Sequence, residues 1–385
     1  MCFALAMIVT WAIYPLMLRF AVRYGVVDRP AKRKLQDHSI PVFGGVTVIL
    51  GMLIPMTISV FCMDWDMSVW LFAFILVMLG MGVSDDIHDL PVWVRLCLEL
   101  TIVGLYIGMS GIMIDSLHGV WGIGQLPMWV SVPLSIIAGV GIINSINMID
   151  GVDGYSSGFC IVASALFAVL FAHVGEYALC CFMVVCIGAL VPFFLHNVFG
   201  VKSKMYIGDG GTLMLGAIMS SMVFFVLQAD TPVKSLQPAG LNPIAFCLAV
   251  LCIPIFDTVR VMCRRILNGV SPFSPDKTHL HHLFLDLGFS HLGTACTLIL
   301  TNTVIVAVWW GSYRLGAGTD LQLYVVLLMG VLTTFVFYPV ARRCMRHDNK
   351  VYRGLVCVGR KTQMEGSRGW QVMQRFVDRK ALSNK

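Results

Sequence analysis

The chain has 385 residues, 58% of them hydrophobic and 12% charged, with a formal net charge of +6. Its mean hydropathy of +0.82 excludes a soluble globular domain of this size and leaves a polytopic membrane protein. The cysteines lie mostly inside apolar runs such as "ALCCFMVVC", without CxxC pairs or histidines at metal spacing. They read as small buried hydrophobes rather than redox or zinc groups.

In chain order, apolar runs of bilayer length predict about eleven spans of an all-α fold. They lie near 2–20, 42–62, 68–84, 92–110, 130–145, 156–173, 178–197, 212–228, 242–262, 292–311 and 321–341. The first begins at Met1 with no basic leader region and no cleavage site, so a retained span is expected rather than a signal peptide. No internal repeat of the kind that marks many secondary transporters is visible.

Basic residues set the expected orientation. The loop after the first span holds "RYGVVDRPAKRK"; later loops of the same parity hold Lys202 and Lys204, then Arg264, Arg265 and Lys277. Loops of the other parity hold only Lys234 and Arg314, so the N-terminus is expected outside and the C-terminus in the cytoplasm. Residues 1–341 are then a transmembrane domain with cytoplasmic active-site loops. Residues 342–385 are a basic cytoplasmic tail, expected to lie along the anionic inner leaflet.

Four dense polar clusters all fall on the predicted cytoplasmic side: "GVSDDIHDLP", "NMIDGVDG", "KSKMYIGDGGT" and "SPFSPDKTHLHH". Ionised carboxylates near lipid are costly unless they meet water, a partner or a metal. Asp85 and Asp86 are adjacent, Asp150 and Asp153 would share a face if their segment is helical, and Asp209 stands among glycines. Gathered acids repel unless a cation joins them, and Mg²⁺ takes one or two carboxylates plus phosphate oxygens. A magnesium site receiving a phosphorylated substrate is therefore expected. Beside it, His279, His281 and His282 with Arg265 form a cationic group suited to phosphate oxygens. Asp257 and Arg260 (i,i+3), like Arg95 and Glu99 (i,i+4), fit a local ion pair as well as a substrate role. Lys32, Arg33 and Lys34 either hold an anionic headgroup or simply set topology.

These motifs, in this order, resemble the polyprenyl-phosphate N-acetylhexosamine-1-phosphate transferases. The branch that moves GlcNAc-1-phosphate from UDP-GlcNAc to undecaprenyl phosphate is the most similar. The resemblance runs from "GVVDRPAKRK" and "IPVFGG" to "SPDKTHLHHLFLDLGFSH", and the His-x-His-His form favours a GlcNAc-type donor. Two departures stand out: Glu99 occupies a position where many relatives have Gln, and two glycines and Thr212 follow Asp209. The resemblance implies Mg²⁺ (with Mn²⁺ as an alternative) held by Asp209 with Asp85 and Asp86, and a base drawn from Asp85 or Asp86. It also implies that Asp150 and Asp153 bind the nucleotide-sugar or order the metal. Asn147, Asn197, Arg265, His279, His281, His282 and Lys32 are the substrate-binding candidates.

The implied partners are a UDP-HexNAc, undecaprenyl phosphate and the bilayer, with homodimers frequent in the family and no nucleic acid. The implied place is the bacterial inner membrane, with the site facing the cytoplasm. The implied product is undecaprenyl-diphosphate-HexNAc, the start of a cell-envelope glycan. Two enzyme alternatives remain at this point: a phospho-MurNAc-pentapeptide transferase and a relative using a UDP-6-deoxy-HexNAc; a CDP-alcohol phosphotransferase would need spaced aspartates in one compact helical motif, which this chain lacks. A secondary transporter is the non-enzyme alternative. Direct attack by the lipid phosphate and a covalent aspartyl intermediate are both open.

Overall fold

The computed structural model describes residues 1–28, 39–63, 69–237, 240–274 and 277–382. The protein is an all-α polytopic membrane protein. Its first eight helices are α1 (Cys2–Tyr24), α2 (Gly44–Met63), α3 (Val69–His88), α4 (Val92–Ser110), α5 (Met128–Met148), α6 (Tyr155–His173), α7 (Tyr177–Phe199) and α8 (Gly208–Leu227). They are followed by α9 (Pro243–Val250), α10 (Cys252–Leu267), α11 (Leu280–Asp286), α12 (His291–Arg314), α13 (Thr319–Val331), α14 (Phe337–Arg346), α15 (Lys350–Lys361) and α16 (Arg368–Leu382). One short antiparallel pair, β1 (Val27–Asp28) with β2 (Ile40–Pro41), sits between α1 and α2.

Every predicted span falls on helix, yet one of the eleven differs from a straight crossing. Among the described residues, nine helices are long and apolar enough to span alone, or ten with a bent pair counted as one. The bent pair is α9 and α10, which meet at 75°. Asn302 explains the break: its Oδ1 accepts from the amide of Ile253, and its Nδ2 donates to the carbonyls of Ala249 and Val250. Backbone groups freed by the bend are thereby bonded from α12, as an interruption at membrane depth requires.

The bundle is built around α8, nearly every residue of which from Gly210 to Leu227 is buried. Such a helix is hydrophobic all round because no face of it meets solvent. It packs on α3, α5 and α2. Small residues let the backbones close: a Cβ at Gly82 would lie 2.5 Å from the Asp209 carbonyl and from Gly210 Cα. The end of α3 is thus set directly against the start of α8.

The "IPVFGG" stretch has a mechanical role. Tyr206 N donates to Pro41 O (2.8 Å), Gly44 N to Tyr206 O (3.0 Å) and Gly45 N to Ile207 O (2.9 Å), clamping the chain just before α8. The tail is not a loose segment. α15 and α16 fold back onto the body: Val377 is fully buried, and the Trp370 and Phe376 rings lie 4.7 Å from Phe199 and 5.2 Å from Trp11.

Candidate active site

The predicted acids converge. Asp85, Asp86, Asp150, Asp153 and Asp209 line one cavity of about 1280 Å³, together with Asp28, Asp89 and Asp286. The basic side chains on its wall are Lys277, His282, His291 and Arg342.

Each acid is held differently. Asp86, in the last turn of α3, accepts from the amides of Asp209 (2.9 Å) and Gly210 (3.1 Å). It therefore caps the first turn of α8, where unpaired N–H groups and the helix dipole favour an anion. Asp85 accepts from Leu90 N (2.9 Å) and pairs with Arg95 Nη1 (3.1 Å). Arg95 is the hub of the site: its Nε meets Glu99 Oε1 at 3.0 Å and its Nη2 donates to Asn147 Oδ1 at 2.8 Å. Asn144 closes the ring by donating to the second oxygen of Glu99. So Arg95–Glu99 is more than a local pair, because it ties α3, α4 and α5 together.

Asn147 passes the order on. Its amide donates to Asp209 Oδ1 (2.5 Å) and Thr212 Oγ1 (2.7 Å). Among the described residues nothing bonds Asp209 Oδ2, and the Asp209 side chain is 38% exposed to the cavity. One carboxylate oxygen, oriented from behind and free in front, is what a hard divalent cation needs from a protein ligand. Asp85 and Asp86 face guanidinium and backbone amides instead, so they brace this position more than they offer oxygens to it.

Asp150 and Asp153 do not share a helical face; residues 149–154 form a turn between α5 and α6. Asp153 Oδ2 meets Lys204 Nζ at 2.7 Å and His291 Nδ1 at 2.9 Å. Burial raises its pKa, but the His291 hydrogen bond and the Lys204 charge outweigh that and hold the carboxyl below its ordinary value. Among the described residues Asp150 has only the Ser156 hydroxyl as donor, and burial with the Asp209 and Asp153 charges pushes it up to about 8. Two carboxylates three residues apart are thus driven apart in acidity, a pattern that separates an anion from a proton carrier.

The sign of the consequence is set by linkage. A carboxyl that binds its proton more tightly when folded stabilises the protein at low pH and loses that contribution as pH rises towards about 8. Metal-free protein is therefore expected to melt at falling temperature between about pH 5 and pH 8, and Asp150→Asn to flatten that decline. Identical slopes in the two proteins would contradict the placement of Asp150.

The cationic group departs from expectation. His279 is buried, with Nδ1 at 2.9 Å from Asp257 Oδ2, and Arg260 Nη2 lies 2.6 Å from Asp257 Oδ1. Arg260 also donates to Thr278 O, so this trio pins the start of α11 instead of facing the cavity. His281 is buried behind Gly151, whose missing side chain leaves room for its Nε2. Burial, then the His282 and His279 charges, hold it well below the ordinary histidine range. Arg265 is buried and donates to Pro272 O (2.5 Å), bracing the proline turn. Only His282 of this group reaches the cavity. Asn197 lines it too, yet its side chain ties Gly154 N (2.7 Å) to Met205 O (3.0 Å). Lys32 lies outside the described residues.

Residues 68–227 match the profile of glycosyl transferase family 4. That segment contains Asp85, Asp86, Arg95, Asn147, Asp150, Asp153, Asn197 and Asp209, the part of the site that α8 organises.

Among curated proteins similar to this chain, a Bacillus subtilis (strain 168) protein is 29% identical over 304 residues, 78% of this chain and 81% of the relative. It is named "Probable undecaprenyl-phosphate N-acetylglucosaminyl 1-phosphate transferase". Proteins of Yersinia pestis (26% over 335 residues, 85% of this chain and 87% of theirs) and Salmonella typhi (27% over 353 residues, 90% and 91%) are similar as well. Both are named "Undecaprenyl-phosphate alpha-N-acetylglucosaminyl 1-phosphate transferase".

Sequence reasoning missed four side chains. His291 and Arg342 reach the cavity wall from α12 and α14, and Lys277 from the loop before α11, all C-terminal to the family match. Lys204 reaches Asp153 from the loop after α7. The available signal was positive charge on the predicted cytoplasmic side, which topology alone also explains.

Proposed function

We propose that the protein transfers GlcNAc-1-phosphate from UDP-GlcNAc to undecaprenyl phosphate, giving undecaprenyl-diphosphate-GlcNAc and UMP. The observation that carries this reading is the meeting of three sequence-distant acidic motifs at one cavity, with Asp209 at the head of the buried α8. The names of the similar proteins point to the same donor group and acceptor.

The donor set fits Mg²⁺. Asp209 Oδ2 is free of protein partners among the described residues, further carboxylates border the same cavity, and the diphosphate would complete the shell. Mn²⁺ suits the same oxygens. Once bound, the ion would supply Lewis-acid charge neutralisation for the diphosphate and the departing UMP.

The chain's own residues do the rest. Lys277, His282, His291 and Arg342 lower the repulsion between lipid phosphate and diphosphate, which is severe in a partly desolvated site. Asp150, pushed up to about 8, holds its proton at neutral pH and is placed to donate a hydrogen bond to a phosphate oxygen in the cavity. Asp153 stays anionic and fixes Lys204 and His291. A lipid phosphate oxygen attacks the β-phosphorus, and the bond from that phosphorus to the bridging oxygen breaks as UMP leaves. The work is positioning and charge stabilisation.

In this reading the cavity opens to the cytoplasm of a bacterial inner membrane, as the loop charges indicate. The deciding experiment is UMP release by the purified protein with Mg²⁺, undecaprenyl phosphate and a panel of UDP-GlcNAc, UDP-GalNAc and a UDP-6-deoxy-HexNAc. Release with UDP-GlcNAc in preference to the others is expected. No UMP from any donor would refute the reading, and preference for another donor would correct the sugar.

A further inference from the structure

Both cations that hold Asp153 are chain neighbours of a serine gripped by the C-terminal segment. On one side, α16 presents Asp378, buried with its carboxylate on the loop after α7. Its Oδ1 accepts from Ser203 N (2.9 Å) and Ser203 Oγ (2.7 Å), and Val201 N lies 3.3 Å from each oxygen. Ser203 is followed by Lys204, whose Nζ meets Asp153. On the other side, Thr362, just after α15, takes Ser290. Ser290 Oγ donates to Thr362 O (2.8 Å), and Ser290 N donates to Thr362 Oγ1 (3.0 Å). Ser290 is followed by His291, the other partner of Asp153.

The first grip extends into the core. Ser203 gives its one proton to Asp378, so the His196 Nδ1 that lies 3.0 Å away is the donor to Ser203 Oγ. Tyr14 stacks on His196 at 3.9 Å and donates its hydroxyl to Ser203 O at 2.8 Å. A buried carboxylate with this many donors is costly to disturb.

We propose that the C-terminal segment is a brace for the active site, in which Asp378 and Thr362 are positioning residues that set Lys204 and His291 on Asp153. Neither touches the cavity; each acts through the serine it holds. This deepens the proposed transferase reading and rests on it for the kinetic readout. It also accounts for contacts that a purely membrane-bound tail would not need: the C-terminal segment docks at the two points that flank Asp153.

The test uses full-length protein carrying Asp378→Asn or Thr362→Val. Three quantities are read: amide exchange of residues 199–206 and 288–293, affinity for UMP, and KM against kcat with UDP-GlcNAc. For Asp378→Asn we expect faster exchange confined to 199–206, KM for UDP-GlcNAc higher by about ten-fold and kcat within about two-fold. Thr362→Val should act in the same direction on 288–293, and Asp378→Glu should restore part of the loss. In an Asp153→Asn background, Asp378→Asn should weaken UMP affinity by far less than in the native protein, because both act on one contact.

Unchanged exchange in both segments overturns the proposal. So does a fall in kcat and melting temperature with KM unchanged, which is the mark of a tail that only stabilises. If native protein releases no UMP, the transferase reading fails, while the exchange and UMP-affinity measurements still decide whether the brace exists.

Discussion

Replacing Asp209 by alanine is expected to abolish UMP release, a loss of about a thousand-fold or more, while leaving the melting temperature close to that of the native protein. The size follows from what that oxygen is placed to do. Asn147 fixes Oδ1 from behind, and Oδ2 faces a cavity bordered by seven other aspartates. Without a ligand at the head of α8, nothing gathers the diphosphate against that negative charge. The fold, by contrast, loses little, since the Asp209 side chain is 38% exposed and its removal relieves repulsion. Activity should be measured across magnesium concentrations. Native turnover with an unchanged metal optimum would remove Asp209 from the ligand set.

Arg95→Ala is expected to cost both fold and function. The substitution strands Glu99, whose side chain is 1% exposed, and Asp85, whose side chain is 8% exposed. Breaking a buried pair from one side costs about 3–5 kcal/mol. Arg95→Lys keeps the charge but cannot fork to Asp85, Glu99 and Asn147 at once, so a milder loss of stability and a large loss of turnover are expected. Removing both members of the closer pair as Arg95→Met with Glu99→Met should recover part of the melting temperature, Asp85 staying unpaired, without recovering UMP release. Full turnover in Arg95→Lys would show that the hub is structural only.

Much of this architecture was legible beforehand. Hydropathy located helix at every predicted span, because a bilayer core demands length and apolarity that no other context imposes. What hydropathy could not register is the break between α9 and α10, since the residues there are as apolar as their neighbours. The break depends on Asn302, a residue dozens of positions away. The acids were legible too, because uncompensated charge near lipid is rare enough to draw attention. The roles within the cationic group were not. His279 and Arg265 are the same residues in the sequence whether they meet a phosphate or, as here, Asp257 and a backbone carbonyl.

The sequence by itself determined the class of molecule, the positions of its helices and the acidic and histidine motifs worth examining. Those rest on local properties: apolar run length, charge, and the spacing of residues along one chain. Only the tertiary structure decided which charges face the cavity and which serve the frame. Asp86 became a helix cap, Arg95 a hub, and His291, Arg342 and Lys277 the cations of the wall. A side chain's role is fixed by what lies opposite it, and here the opposite partner comes from another helix.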